Sequence, residues 1–255
     1  MESGKEKKVV KKFNDEAPRY DNRYKGMNST AHSFNMRRQR VFELVGDKKG
    51  KVLDVGCGPG VMVDGFKAKD YDFYGVDLAQ DMIDKCLEKY GNLDNVHFSV
   101  GRVEKIGFPD GFFDIIICMG VVEYLDDDYG ALKEMYRVLR PGGVAIITLP
   151  NKKSPYRIWN KFVIKNLSKV VKMFLGGERH GLDHREYREE EYKESMQNIG
   201  FRVGDTFYYN FQILPFPIDK YLPFLTVPIS KFFEKFYKGN LRWLGTGFIV
   251  SGVKK

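Results

Sequence analysis

The stretch from Val52 to Gly60 constrains the fold more than any other, because a short apolar run there gives way to three glycines. This pattern is typical of a buried parallel strand that turns sharply into a helix, since glycine allows both a tight turn and the close approach of a ligand. Asp54 lies two positions before the first glycine, and Val61 stands where a dinucleotide fingerprint requires a third small residue. Because a carboxylate there would repel a pyrophosphate, the stretch disfavours a nicotinamide-dependent dehydrogenase and favours a ligand with a nucleoside and a positive charge.

The composition is that of an ordinary globular protein, with 43% hydrophobic and 30% charged residues. The formal net charge of +8 leaves two interpretations open, a solvated lysine-rich surface or an acidic partner. The three cysteines and four histidines have no metal-ligand spacing, so we expect no metal, and the odd cysteine count favours reduced thiols in the cytoplasm. The N-terminal residues lack an apolar core, so no signal peptide is expected.

Strand-like and helix-like segments alternate as far as residue 150, which predicts a parallel, doubly wound α/β sheet. Helices are expected over residues 36–45, 61–68, 80–90, 129–139 and 189–199. Strands are expected over residues 51–55, 73–76, 96–100, 113–118, 144–149 and 247–253, with one more beginning at residue 201. Pro141 to Gly143 is interpreted as a turn before the fifth strand. The prolines between residues 211 and 243 exclude a transmembrane helix.

The same pattern predicts four regions along the chain. They are N-terminal lid helices over 1–35, a ligand-binding core over 36–150, a cap insertion over 151–187, and the remainder of the sheet over 188–255 with an apolar insertion at about 209–243.

Four motifs stand in the order found in the class I S-adenosylmethionine-dependent methyltransferases, which the chain resembles over roughly residues 10–205. They are Val52–Gly60, Tyr74–Asp77, Phe108–Asp114 and Arg137–Gly143. Phe13–Asp21 also resembles the lid of the quinone- and biotin-pathway methyltransferases. The resemblance implies a mostly parallel, seven-stranded Rossmann-like sheet with the last strand antiparallel, and a helical cap. It also implies S-adenosyl-L-methionine as the cofactor and S-adenosyl-L-homocysteine as the product.

Under this resemblance, two acids and the glycine loop would hold the cofactor. Asp77 is expected to accept hydrogen bonds from both ribose hydroxyls, and it is also placed to cap the helix that starts near Gln80. Asp54 is expected to face the methionine part of the cofactor, or else to serve as a turn or capping acid. Tyr20 is expected to close over the cofactor, or else to pin a loose terminus. The other expected cofactor contacts are Gly56, Cys57, Gly58, Gly60, Leu78, Met82, Arg102, Val103, Glu104, Met119 and Gly120.

Arg102 departs from the family pattern. Relatives commonly carry Gly-Asp-Ala after the third strand, whereas this chain has Gly101-Arg102-Val103. An arginine cannot accept the hydrogen bond that the adenine amino group donates. That amino group would then be bound by Glu104, by a backbone carbonyl or by water, while the Val103 N–H would reach the ring.

Three residues are candidate catalytic groups. Methyl transfer mainly requires alignment and the exclusion of water, and it needs a base only when the acceptor is a hydroxyl or a protonated amine. His184 is expected to face the acceptor pocket, or else to order the cap by hydrogen bonding, and His180 is a weaker candidate. Tyr124 follows the fourth strand directly after Glu123, and His32 lies in the lid, where it would line the pocket.

The acceptor is expected to be a small or lipid-like molecule that is methylated on oxygen or nitrogen. The apolar, lysine-containing segment 211–236 favours a hydrophobic cap over the pocket, and peripheral contact with an anionic membrane or a dimer contact are its alternatives. An RNA methyltransferase and a non-catalytic cofactor-binding protein also stay open. The dispersed basic residues and the lack of an Asn/Asp-Pro-Pro-Tyr-type motif disfavour nucleic acid as a partner.

Overall fold

The computed structural model describes residues 3–66, 71–162, 184–214 and 218–255, with only the backbone at 219 and 220. Within them, seven strands form one sheet in the order β3-β2-β1-β4-β5-β7-β6. Only β7 runs antiparallel to its neighbours. The strands are β1 Gly50–Val55, β2 Tyr71–Asp77, β3 Val96–Val100, β4 Phe113–Met119, β5 Leu139–Pro150, β6 Phe201–Tyr209 and β7 Gly247–Lys254. The predicted Rossmann-like α/β fold is confirmed.

Helices cover both faces of this sheet. The α-helices are α1 Gly4–Glu16, α2 Ser29–Val45, α3 Gln80–Tyr90, α4 Asp128–Val138, α5 beginning at 155 and described to 162, α6 Glu189–Ile199, α7 Ile218–Tyr221 and α8 Pro223–Phe233. Short 3-10 helices are Ala17–Tyr24, Val63–Gly65, Val122–Tyr124, Glu234–Phe236 and Arg242–Leu244. No helix in the described ranges combines the length and apolar character needed to cross a membrane.

The central strands β1 and β4 are buried on both faces. Residues 115–118 of β4 are fully buried, as expected for a continuous apolar run in a parallel sheet. Alternate residues feed two cores: Leu53 and Ile116 belong to one, Val52 and Ile115 to the other. Because β1, β2 and β4 are parallel neighbours, their carboxyl ends meet at one edge, and the residues that follow them form one rim.

The predicted helix over 61–68 is wrong in its described part, where only Val63–Gly65 is helical, as a single 3-10 turn. Gly65 is one reason. A Cβ atom there would lie 2.0 Å from the Phe42 ring, so close packing favours a residue of poor helix propensity at this point.

The turn predicted at Pro141 to Gly143 does not precede β5 but lies within it. Phe113 pairs with Leu139, whereas Ile115, two residues later, pairs with Val144. The extra residues on β5 form an irregularity of the ladder, and Gly142 provides the positive φ of 77° that it needs.

The N-terminal region is helical, and α2 runs from Ser29 through position 35, where the lid was predicted to end. The division into four regions stays a prediction. Much of the predicted cap insertion, including His180, lies outside the described residues.

Candidate active site

A cavity of about 370 Å³ lies at the carboxyl ends of β1, β2 and β4. Its floor comes from the strand ends and its roof from α1 and the 3-10 helix after it. Many of the predicted cofactor residues line it, namely Tyr20, Gly56, Gly58, Asp77, Leu78, Met82, Arg102, Val103, Glu104, Met119 and Gly120. Asp54, Cys57 and Gly60 do not line it.

The glycine loop ties the end of β1 to the end of β2. The backbone N–H groups of Gly56 and Cys57 both donate to the Val76 carbonyl, at 2.7 and 3.1 Å. Gly56 has a φ of 70°, and a Cβ atom there would lie 2.1 Å from Val121 Cγ2. Only glycine fits such a position without displacing its neighbour. By contrast, the nearest atom to a Cβ placed on Gly58 is Tyr20 Cε1, at 3.9 Å, so the loop is open toward the cavity at that point.

Asp77 is fixed between the loop and the start of α3. Its Oδ2 accepts the Gly58 N–H and its Oδ1 accepts the Ala79 N–H, both at 2.9 Å. Burial raises the pKa of this carboxyl, and the backbone hydrogen bonds work against that rise. The alternative role as a helix cap is met only in part, because the bond to Ala79 is local and reaches the N-cap residue of α3.

Asp54 is 1% exposed, and neither of its carboxylate oxygens has a hydrogen-bond partner. Burial, with the Asp77 carboxylate as the second cause, raises the pKa of Asp54 to about 8. A buried carboxylate without partners is costly. Its position in β1, directly before the glycine loop, therefore fits a missing positive group.

The lid supplies an apolar side to the cavity. Met82 of α3 packs with Ala17 and Ala79, and the rings of Phe13 and Tyr20 lie against this cluster. An aromatic and aliphatic surface of this kind fits a flat heterocycle.

Arg102 points to the lid and forms ion pairs with Glu6 of α1 and with Glu104, the latter at 3.8 Å. A Gly-Asp-Ala sequence would lack this cation. The departure from the family pattern thus coincides with a charged contact between the cavity rim and the lid.

The three predicted catalytic residues are not brought together. Tyr124 lines the cavity, and burial raises its pKa to about 12, so it is a neutral phenol near neutral pH. The His184 ring lies 6.4 Å from the Tyr124 ring, and its Nε2 lies 3.2 Å from an Arg157 guanidinium nitrogen. His32 does not line this cavity; its Nε2 lies 3.7 Å from Glu234 Oε1.

Arg37 was missed by sequence reasoning. It lies on α2, and a Cβ atom on Gly120 would be 2.8 Å from its Nη1, so the guanidinium covers the end of β4 beside the cavity. Its carbon is 4.8 Å from the Phe34 ring centre, and its Nε is buried without a hydrogen-bond partner. No local pattern marks Arg37, because only the packing of α2 brings it to the strand ends.

Glu123 is the second polar group at this inner end. It is 7% exposed, and its Oε2 has no hydrogen-bond partner. Burial raises its pKa, while the Arg37 and Arg157 charges work against that rise. Within the described residues Glu123 and Arg37 form no ion pair. A basic and an acidic side chain, each with one buried atom that lacks a hydrogen-bond partner, therefore lie near the carboxyl end of β4.

Comparison with known proteins agrees with this geometry. Residues 53–147 match the family model of a methyltransferase domain. A demethylmenaquinone methyltransferase of Staphylococcus aureus is 32% identical over 143 residues, covering 52% of this chain and 59% of that protein. An uncharacterised methyltransferase of Schizosaccharomyces pombe is 37% identical over 106 residues, which is 38% of each protein. Over residues 53–147, this chain is thus similar to methyltransferase domains.

Solved structures share the fold of this chain over most of its length. A putative methyltransferase in complex with the Trm112 activator of Haloferax volcanii has a TM-score of 0.65 at 17% identity, covering 94% of this chain and 96% of that one. Magnesium protoporphyrin IX methyltransferase of Synechocystis, with bound S-adenosylhomocysteine, has a TM-score of 0.62 at 16% identity, covering 97% and 98%. The chain spans only 38% and 59% of the two curated relatives' lengths, so their activities do not transfer to it as a whole.

Proposed function

We propose that this protein transfers a methyl group from S-adenosyl-L-methionine to a small or lipid-like acceptor. The observation that carries the proposal is Asp54, a buried carboxylate without hydrogen-bond partners. It lies directly before a glycine loop, and Gly56 and Gly58 of that loop line the same cavity as Asp77. When bound, the cofactor supplies an electrophilic methyl carbon on a sulfonium. The residues present fit it: Asp54, directly before the lining residues Val55 and Gly56, would ionise to meet its ammonium group, Asp77 is an acceptor for its ribose, and apolar side chains are available for its adenine.

Asp77 has the right valences left for a ribose. A carboxylate has about four lone-pair sites, and the Gly58 and Ala79 N–H groups occupy one on each oxygen. One site on each oxygen is left to accept a hydroxyl of the ribose. The two backbone bonds also fix the carboxylate in advance, which lowers the entropic cost of binding.

The adenine would lie between Leu78, Met82 and the lid. Val103 would offer its backbone N–H, and Glu104 an acceptor for the amino group. Cys57 and Gly60 do not line the cavity. We therefore assign them no direct contact with the cofactor, only a role in shaping the loop.

At the acceptor end we assign Arg37 to an oxygen that carries negative charge, and Glu123 to a hydroxyl or amine proton. Tyr124 donates a hydrogen bond at the same place, because its phenol stays protonated. His184 and His32 stay candidates for the base, with His184 nearer to Tyr124.

Oxygen and nitrogen are the acceptor atoms predicted from the sequence. Similarity to a demethylmenaquinone methyltransferase adds the ring carbon of a quinol as a third candidate. All three fit a cavity with the aromatic side chains of Phe13, Tyr20 and Tyr124 in its lining and with Arg37 beside its lining residue Gly120.

The first experiment is calorimetric titration with S-adenosyl-L-homocysteine, which binds without turnover. We expect one molecule bound per chain, and absence of binding would contradict the proposal. Methyl-labelled cofactor is then offered with 1,4-naphthoquinol, a phenol, an alkylamine and bulk RNA. Product mass identifies the methylated acceptor, and NMR of the product identifies the methylated atom. Binding with no transfer to any acceptor favours a non-catalytic role, and transfer to RNA alone overturns the acceptor class.

A further inference from the structure

Helix α8 has an inverted arrangement of polar and apolar side chains. Thr226 and Ser230 are only 6% and 5% exposed, whereas Phe224 is 76% exposed. The buried hydroxyls have partners: Ser230 Oγ donates to the Phe211 carbonyl at 2.6 Å, and Thr226 Oγ1 lies 3.2 Å from Ser29 Oγ. A surface helix normally turns its apolar side to the core. An outward apolar side of this kind indicates that another apolar phase covers it.

The outward side chains form one surface. Phe224, Pro228 and Phe232 recur at every fourth position and so lie on one side of α8, opposite Thr226 and Ser230. Exposed apolar side chains from α7 and the junction extend it. We call the α8 face the set Ile218, Tyr221, Leu222, Phe224, Leu225 and Phe232.

Lysines outnumber acids along α7, α8 and the turn that follows them. From residue 218 to residue 238 the sequence has four lysines and two acids, Asp219 and Glu234. Glu234 is buried and accepts the Asn210 N–H at 2.8 Å, so it does not reach the surface. Lys231 and Lys235 are exposed, and Lys235 Nζ lies 5.6 Å from the Phe232 ring centre, at the edge of the face.

This combination favours a lipid surface over a protein partner. Interfaces between proteins are depleted in lysine. Surface-bound helices instead combine aromatic and leucine side chains on one side with lysines at the border, which attract anionic headgroups. Apolar area and charge would then act together, since neither alone gives stable binding to a bilayer.

Helix α8 packs through its buried side against the start of α2. Thr226 Oγ1 lies 3.2 Å from the hydroxyl of Ser29, which begins α2, and the 91% exposed Met27 lies two residues before Ser29. The same helix α2 carries Arg37 over Gly120 at the inner end of the cavity. The α8 face is thus on the outer side of a helix whose buried side contacts α2.

We propose that the α8 face docks on an anionic lipid bilayer, with Phe224 and Phe232 at the boundary between headgroups and acyl chains and with Lys231 and Lys235 against the headgroups. Docking does not depend on methyl transfer. The further step, that a lipid-like acceptor passes from the bilayer beside α2 to the cavity, rests on the proposed function.

The test is co-sedimentation of the full chain with vesicles of phosphatidylcholine mixed with phosphatidylglycerol, and with vesicles of phosphatidylcholine alone. We expect binding to the anionic vesicles that weakens with added salt. F224S and F232S should each lower the partition coefficient about tenfold, from the lost burial of one phenylalanine. K231Q and K235Q should each lower it about fivefold. L87S, at an exposed leucine of α3, is the matched control and should change nothing.

All these side chains are exposed, so the thermal unfolding temperature should be the same in every variant. That measurement also checks directly that each variant is folded. Absence of sedimentation with both vesicle types would overturn the proposal, as would binding that F224S and F232S leave unchanged. Sedimentation velocity without lipid supplies the other outcome. A concentration-dependent dimer that F224S abolishes would assign the α8 face to a second copy of this chain instead. Failure of docking would leave S-adenosyl-L-homocysteine binding intact, so the two proposals fail separately.

Discussion

Two regions of the molecule each contain a buried carboxylate. One is the central strand β1, and the other is the place where α2 packs against the segment that follows β6. The surroundings of the two carboxylates differ. Asp54 in β1 has no hydrogen-bond donor for either oxygen. Glu234 lies between α2 and β6, and its Oε1 accepts the N–H groups of Asn210 and Phe211 at 2.8 and 3.3 Å. Arg40 adds a cation 4.0 Å from Glu234 Oε2.

Burial and pKa alone do not separate the two groups. Burial raises the pKa of Asp54 to about 8 and that of Glu234 to about 7. The donors separate them, because the chain provides two N–H groups to Oε1 of Glu234 and leaves only Oε2 without a hydrogen bond, whereas it provides none to either oxygen of Asp54. A carboxylate that the fold leaves without donors indicates a ligand, whereas one that the fold supplies with donors indicates packing.

Asp77 combines the two situations, since it accepts backbone hydrogen bonds and also lines the cavity. Its removal should have the largest effect on cofactor affinity. Asp77→Ala should weaken S-adenosyl-L-homocysteine binding at least about 100-fold, because two hydrogen bonds to a charged group are lost. Calorimetry measures the affinity and thermal unfolding checks the fold. Asp81→Ala removes an exposed carboxylate four residues later, in α3, and is the control. Unchanged affinity in Asp77→Ala would make Asp77 a purely structural residue.

The residues on the cofactor side of the candidate site could be located from the sequence, because they are close in sequence to the strand ends that position them. The positions of Asp54, Gly58 and Asp77 follow from strand, turn and helix order, and the resemblance to the methyltransferases implies their roles. Arg37 was not predictable, because an arginine in the middle of α2 reaches Gly120 only through tertiary packing. The inverted polarity of α8 was hidden for the same reason, since an apolar, proline-rich segment does not reveal which side is buried.

The second prediction concerns proton release by Asp54. If Asp54 meets the cofactor's ammonium group, it must ionise on binding. S-adenosyl-L-homocysteine affinity should therefore rise about tenfold per pH unit as pH approaches the Asp54 pKa of about 8, and should level above it. Asp54→Asn should bind more weakly above that pKa and should lose most of this slope. A slope that survives in Asp54→Asn would show that another group releases the proton.

Stability without ligand gives the control for the same residue. The folded pKa of Asp54, about 8, lies above its ordinary value of 3.8. The folded state thus binds the proton more tightly, and the free energy of unfolding should fall as pH rises through that window. Urea unfolding should show Asp54→Asn gaining stability relative to the wild type across the window. A constant difference would contradict the pKa assignment.

The third prediction separates the acceptor end from the donor end. Arg37→Gln should lower kcat/KM for the best acceptor about tenfold, by loss of a charged hydrogen bond, and should leave S-adenosyl-L-homocysteine affinity within about twofold. Arg38→Gln, one position along α2, is the matched control. Steady-state kinetics and calorimetry measure the two effects. A parallel loss of both would place Arg37 with the lid and not with the acceptor.

The smallest effect on ligand affinity is expected at Glu234, where the comparison with Asp54 is sharpest. Glu234→Gln keeps an oxygen for the Asn210 and Phe211 N–H groups and removes the titration. Because the folded pKa of about 7 lies above the ordinary 4.5, wild-type stability should fall relative to the variant as pH rises between these values. The gain should be at most about 3 kcal/mol by urea unfolding. Since the chain supplies its own donors to Glu234, S-adenosyl-L-homocysteine affinity should be the same in both proteins at every pH. A pH-dependent change in that affinity would make Glu234 a ligand-directed carboxylate like Asp54.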